Sequence, residues 1–117
     1  MVRVKVARSP EGTPLSVEIS GHSRFGSHGS DIVCAAVSAL VQTTVFAMED
    51  LLELPPGGVL EEGYAYLTLP GGAEPATREQ QLLLLETLLL GLREIEKTYP
   101  GYIRYGEVQA GTTGVED

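Results

Sequence analysis

Two stretches near the amino terminus alternate apolar with polar residues. Val2, Val4 and Val6 are separated by Arg3, Lys5 and Ala7, and Leu15, Val17 and Ile19 by Ser16, Glu18 and Ser20. A period of two is that of a strand with one face buried. The turn-rich SPEGTP link makes an antiparallel hairpin the simplest pairing, with Lys5 or Arg3 facing Glu18 on the wet side. The period then changes. From Asp31 to about Leu54 apolar positions recur at helical spacing, and at about 100° per residue Ile32, Val33, Ala36, Val37, Leu40, Ala47 and Leu51 share one broad face expected to pack on the sheet. Asp31, Cys34, Ser38, Gln42 and Glu49 form a narrow polar stripe on the other side.

Pro55, Pro56, Gly57 and Gly58 end this helix, and Tyr64, Tyr66 and Thr68 alternating with Ala65, Leu67 and Leu69 predict a third strand. Thr77 and Gln80 resemble a capping box ahead of a second helix running to about Tyr99, with Leu85, Leu88, Leu89, Leu92 and Ile95 on its core face. Leu83 and Leu90 fall away from that face, which predicts a covering surface such as a two-fold interface. Pro100 and Gly101 stop the helix, and Tyr102 to Val108 predict the last strand. The order ββαβαβ predicts an α+β fold: a single mixed or antiparallel four-stranded sheet packed against two helices, one domain over residues 1–117.

Composition narrows the partners. Sixteen acidic against eight basic residues give a formal charge of −8, which argues against direct nucleic-acid contact and suits a basic polypeptide better. A single cysteine cannot form an internal disulfide, and MVRVKVARSP lacks the apolar core of about 7–15 residues that a signal peptide has, so a cytoplasmic location is expected. Polar and charged residues interrupt both long apolar runs short of the roughly 18 residues that suggest a membrane span, and no membrane association is predicted.

Chemistry concentrates between Gly21 and Ser38, in GHSRFGSHGSDIVCAAVS, which holds the only cysteine and both histidines. A glycine-containing loop with His22 and His28 runs into Ser30 and Asp31, two N-cap residue types, and then into a helix whose first turn carries Cys34. The N–H groups and partial positive charge at a helix start favour a thiolate, so nucleophile and base are both at hand. His22 directly follows a strand and is held more firmly than His28 among Gly26, Ser27 and Gly29, which favours His22 as the base. Asp31 serves equally well as a plain N-cap or as an orienter of imidazole, and Ser38 as a filler of polar space. A zinc site of His22, His28, Asp31 and Cys34 is the local alternative, although neither a CxxC nor an HxxxH pair is present. GHSRFG matches half of a phosphate loop, but no Gly-Lys-Ser/Thr follows.

The run G-H, a short glycine-containing loop, then G-S-D-I-V-C-A-A-V-S resembles the ribosomal-processing cysteine proteases of the Prp family. Ser23 stands where that family often has alanine. The resemblance implies an endopeptidase that removes the N-terminal extension of ribosomal protein L27, acts as a homodimer and needs no metal or cofactor. It implies Cys34 as nucleophile and His22 as general base, with Asp31 and Ser38 in support. Gly21, Arg24, Phe25, Gly26 and Gly29 belong to a loop expected to order over the peptide, with N–H groups at the helix start holding the oxyanion. A non-catalytic ribosome-assembly or peptide-binding module is the alternative class.

Overall fold

The computed structural model describes residues 1–21 and 31–110. These form β1 (Val2–Arg8), β2 (Pro14–Ser20), α1 (Ile32–Asp50), β3 (Gly57–Glu61), β4 (Tyr64–Thr68), α2 (Pro75–Thr98) and β5 (Ile103–Gln109). One sheet runs in the order β3-β4-β2-β1-β5. Its pairs are antiparallel except β1 with β5, which run parallel across the crossover through the helices. The α+β class and the two helices match the expectation, but the sheet has five strands, not four, and the order is ββαββαβ. The missed strand, Gly57-Gly58-Val59-Leu60-Glu61, has two glycines and two adjacent apolar residues, so it carries no alternation. Pairing with β4 through the Glu62-Gly63 turn makes it a strand. Gly58 has φ 111°, and a Cβ there would fall 1.8 Å from the Tyr66 carbonyl oxygen, so this hairpin requires glycine.

The β1–β2 hairpin has the expected register, Lys5 opposite Glu18. The two do not pair: Glu18 instead accepts a hydrogen bond from the Tyr64 hydroxyl at 2.8 Å, across on β4, and this holds the Tyr64 phenol above its ordinary pKa. Val2, Val4, Val6, Val17, Ile19, Ala65 and Leu67 project from the other face of the sheet and form the core with the helices.

Helix α1 ends earlier than expected. Leu51 and Leu52 both donate to the Ala47 carbonyl, and Glu53 takes φ 55°, so the helix has closed before Pro55. Its buried residues are Val33, Val37, Val41, Thr44, Val45 and Met48, whereas Ile32 and Leu51 are 48% and 77% exposed. The buried face is therefore turned by roughly 70° from the expected one, toward the polar stripe. Thr44 tolerates burial because its hydroxyl donates to the Leu40 carbonyl at 2.8 Å. With mean hydropathy 1.7, α1 is long and apolar enough to cross a membrane, but its valine ridge and Met48 are buried against the sheet, as in a core helix.

Helix α2 starts at Pro75, two residues before the proposed capping box, with Glu74 as an N-cap that makes no side-chain bond. Proline at the first helical position brings a preset φ and lacks only an N–H that would have no helical partner. Leu85, Leu88, Leu89 and Leu92 are buried as expected, and Gly91 lets Leu40 of α1 pack against α2, since a Cβ would lie 2.8 Å from a Leu40 methyl.

Arg8 joins β1 to α2 and β5. Its guanidinium meets Glu86 at 2.7 and 3.1 Å and Glu107 at 3.0 and 3.2 Å, and these bonds hold both carboxyls below the usual range. A folded-state value below the unfolded one stabilises above the unfolded pKa and is lost as pH falls through the folded value. Arg8→Met should therefore lower stability by about 1 kcal/mol at neutral pH, modest because both carboxylates are partly in water. The difference from the parent should shrink below roughly pH 4. Urea titrations of both proteins between neutral and acid pH measure it, and a constant difference would assign Arg8 to packing instead of charge.

Candidate active site

The first turn of α1 is fixed by Asp31. This residue is extended (φ −77°, ψ 104°), and its Oδ1 accepts the backbone N–H groups of both Val33 and Cys34 at 3.0 Å. Its carbonyl accepts the N–H of Ala35 at 3.1 Å. Asp31 is thus the N-cap, one of the two roles read for it. It engages the three N–H groups that follow Ile32.

The turn of α1 about its axis brings Cys34 to the border between the buried face and the polar stripe. The residue is half-buried, packs against the core and is not in a disulfide. Ser38 and Gln42, one and two turns further along, are exposed. The stripe therefore lines a wall and does not point away from the fold.

The facing wall comes from the sheet. At the end of β2, Gly21 has φ 90°, and its N–H donates to the Gly63 carbonyl at 3.1 Å. A Cβ on Gly21 would sit 2.5 Å from the Met1 carbonyl oxygen, so only glycine lets the chain leave β2 between Met1 and the β3–β4 turn. Between α1 and this turn lies a cleft of about 790 Å³. Asp31, Cys34, Ser38 and Gln42 line one side, Gly21 and Leu60 to Tyr64 the other, and Val2, Ile19 and Ala65 its apolar floor.

The structure thus brings Gly21, Asp31, Cys34 and Ser38 to one cleft. His22, Arg24, Phe25, Gly26 and Gly29 lie outside the described residues, as does His28, so the expected loop and the zinc alternative fall there too. The sequence reading omitted Glu61, Glu62 and Gly63 from the site, because β3 carried no strand pattern; the Glu-Glu-Gly-Tyr run was the one visible sign of a turn.

The family model described as cysteine protease Prp matches residues 1–104. The ribosomal processing cysteine protease Prp of Bacillus subtilis is 34% identical over 110 residues, spanning 89% of this chain and 95% of that protein. Its Staphylococcus aureus namesake is 29% identical over 104 residues, 89% and 96% of the two chains. Among solved structures, an essential ribosomal processing protease Prp from Staphylococcus aureus with a covalently linked product peptide superposes with TM-score 0.81 at 28% identity, covering 92% of this chain and all of that one. A protein from Streptococcus mutans gives 0.78 at 31% identity, with 93% and 95% covered.

Proposed function

This chain belongs to the cysteine protease Prp family, and from that membership we propose that it is an endopeptidase whose nucleophile is Cys34 and whose general base is His22. The observation that carries the proposal is that the chain's one thiol lines its large cleft, on the first turn of a capped helix. His22 takes the Cys34 thiol proton, and the sulfur attacks the scissile carbonyl carbon and forms the tetrahedral oxyanion. Collapse breaks the C–N bond, His22 protonates the departing amine, and a thioester remains. His22 then takes a proton from water, hydroxide adds to the thioester, and the acid product and the thiol are released. Asp31 holds the helix start, Ser38 lines the cleft beside the thiol, and Gly21, Arg24, Phe25, Gly26 and Gly29 contact the peptide.

The proposed substrate is the N-terminal extension of ribosomal protein L27, cleaved in the cytoplasm during ribosome maturation. Support comes from the relatives' being ribosomal processing proteases and from the peptide complexes of the Staphylococcus aureus enzyme. A homodimer is part of the same proposal, because Leu83 and Leu90 on α2 are 68% and 51% exposed. Each contributes roughly 1.5–3 kcal/mol if fully removed from water.

Incubation of the protein with an L27 precursor carrying an N-terminal extension, followed by intact-mass analysis, tests the activity. Loss of the mass of the extension is expected. Saturable binding with no mass change would instead support a peptide-binding module. A monomeric mass for the Leu83→Glu, Leu90→Glu double variant is the expected companion result, and an unchanged dimer would remove this patch from the interface.

A further inference from the structure

The face of the sheet turned away from the helices carries an arrangement that the cleft chemistry does not use. Seven of the eight cationic residues are described, and four are engaged. Arg8, Arg93 and Lys97 form ion pairs, and Arg78 donates to the Pro70 carbonyl. The other three, Arg3, Lys5 and Arg104, are exposed and have no side-chain hydrogen bond or ion pair among the described residues. All three project from this one face. Arg3 and Arg104 are register partners on β1 and β5, about 4.8 Å apart in the sheet, and Lys5 follows two residues along. They border a shallow concavity of about 340 Å³ whose floor is opened by Gly106, where an added Cβ would meet nothing within 4 Å.

One carboxylate shares this face beside the cations: Glu18, opposite Lys5, keeps its charge while it accepts from the neutral Tyr64 hydroxyl, so three positive charges stand against one negative. Glu107 is held by Arg8 and Tyr105. Glu61 lies three strands from Arg3, about 14 Å away and beyond the screening length of roughly 8 Å at physiological salt. Tyr66 is on the same face, 37% exposed, and is separated from Lys5 only by Glu18 on the intervening strand, a distance of about 10 Å.

From this juxtaposition we infer that the outer sheet face binds single-stranded RNA, with Arg3, Lys5 and Arg104 on successive phosphates and Tyr66 as a stacking platform for a base. A nucleotide carries an anion and a planar ring in every unit, and the face offers cations and an exposed ring at that kind of separation. An acidic peptide would use the cations but has no regular use for the ring. Guanidinium groups, two of the three cations, match phosphate geometry by paired N–H donation. The net charge that argued against nucleic acid is a property of the whole chain, whereas at physiological salt the local charges decide. The inference stands on this face and does not depend on the cleft's activity, although it would hold a processing enzyme near a substrate assembled on RNA.

Fluorescence anisotropy of a labelled oligouridylate of about 12 nucleotides, titrated with the full chain, tests it. Three phosphate contacts predict saturable binding that weakens roughly 20-fold between about 50 and 200 mM salt. The triple change Arg3→Gln, Lys5→Gln, Arg104→Gln should weaken it at least about tenfold at the lower salt, and Tyr66→Ala at least about fivefold. Arg104→Gln alone, on the exposed edge strand, gives a smaller loss in the same direction if the triple variant folds poorly. A control with Arg78→Gln and Lys97→Gln should bind within about twofold of the parent. The inference is overturned if the parent shows no saturable binding at the lower salt, or if Arg104→Gln and the triple variant both bind as it does. Polyglutamate binding with the same affinity while Tyr66→Ala has no effect on RNA would assign the face to acidic peptides.

Discussion

Cys34→Ala is expected to reduce cleavage of the extended precursor by at least about 10⁴-fold in kcat while leaving the fold intact. The size of the effect follows from the absence of a second thiol: without sulfur at position 34 no acyl-enzyme forms, and binding in the cleft is all that remains. The substitution should be structurally mild, because the side chain is half-buried and alanine suits a helix interior. Cys34→Ser should also be strongly impaired, since a hydroxyl is a far weaker nucleophile near neutral pH. One equivalent of iodoacetamide should add a single carboxamidomethyl group and end activity in proportion to its incorporation. Undiminished cleavage by Cys34→Ala would refute the assignment outright, and normal cleavage by the fully alkylated protein would do so independently.

His22→Ala is expected to abolish turnover under the proposed mechanism, and His28→Ala serves as its comparison. His22 directly follows Gly21, whose backbone is clamped between Met1 and Gly63. Loss of turnover with His28→Ala and retention with His22→Ala would reverse the assignment.

What could be seen in the linear pattern depended on how local the cause was. Asp31 as a cap was legible because capping needs only a side chain and the next few N–H groups. Strands β1 and β2 were legible because each buries one face and alternates. The rotation of α1 was not. Ile32 and Leu51 are as apolar as Val41 and Val45, and only the position of the sheet and α2 decides which are covered. That rotation matters to function, since it moves Cys34 from an outward stripe to the lip of a cleft. Strand β3 was hidden for a related reason: Gly58 and Leu60 gain their meaning from Leu67 and Ala65 across the hairpin. With β3 missing, half of the cleft wall went unseen, including Glu61 and Glu62.

Asp31→Ala is expected to lower stability by about 1 kcal/mol and kcat by roughly 30- to 100-fold, because a displacement of the reacting atom by about 1 Å can cost that much. The residue acts through the helix start: its Oδ1 holds the N–H of Cys34 and the N–H of Val33, so the backbone beneath the sulfur is pinned from one side. Removing that acceptor frays the first turn, the turn that carries the sulfur. Asn keeps an oxygen at the same place and ranks with Asp as a cap. Asp31→Asn should therefore recover most of the stability and bring kcat to within about fivefold of the parent. Chemical denaturation and cleavage rates on the two variants separate positioning from charge. If Asp31→Asn recovers stability but remains as slow as Asp31→Ala, the carboxylate's charge is needed in the reaction, and an altered pH dependence of cleavage should accompany that outcome. If Asp31→Ala cleaves at the parent rate, the cap is not what places the thiol, and the packing of Cys34 against the core is sufficient to hold it.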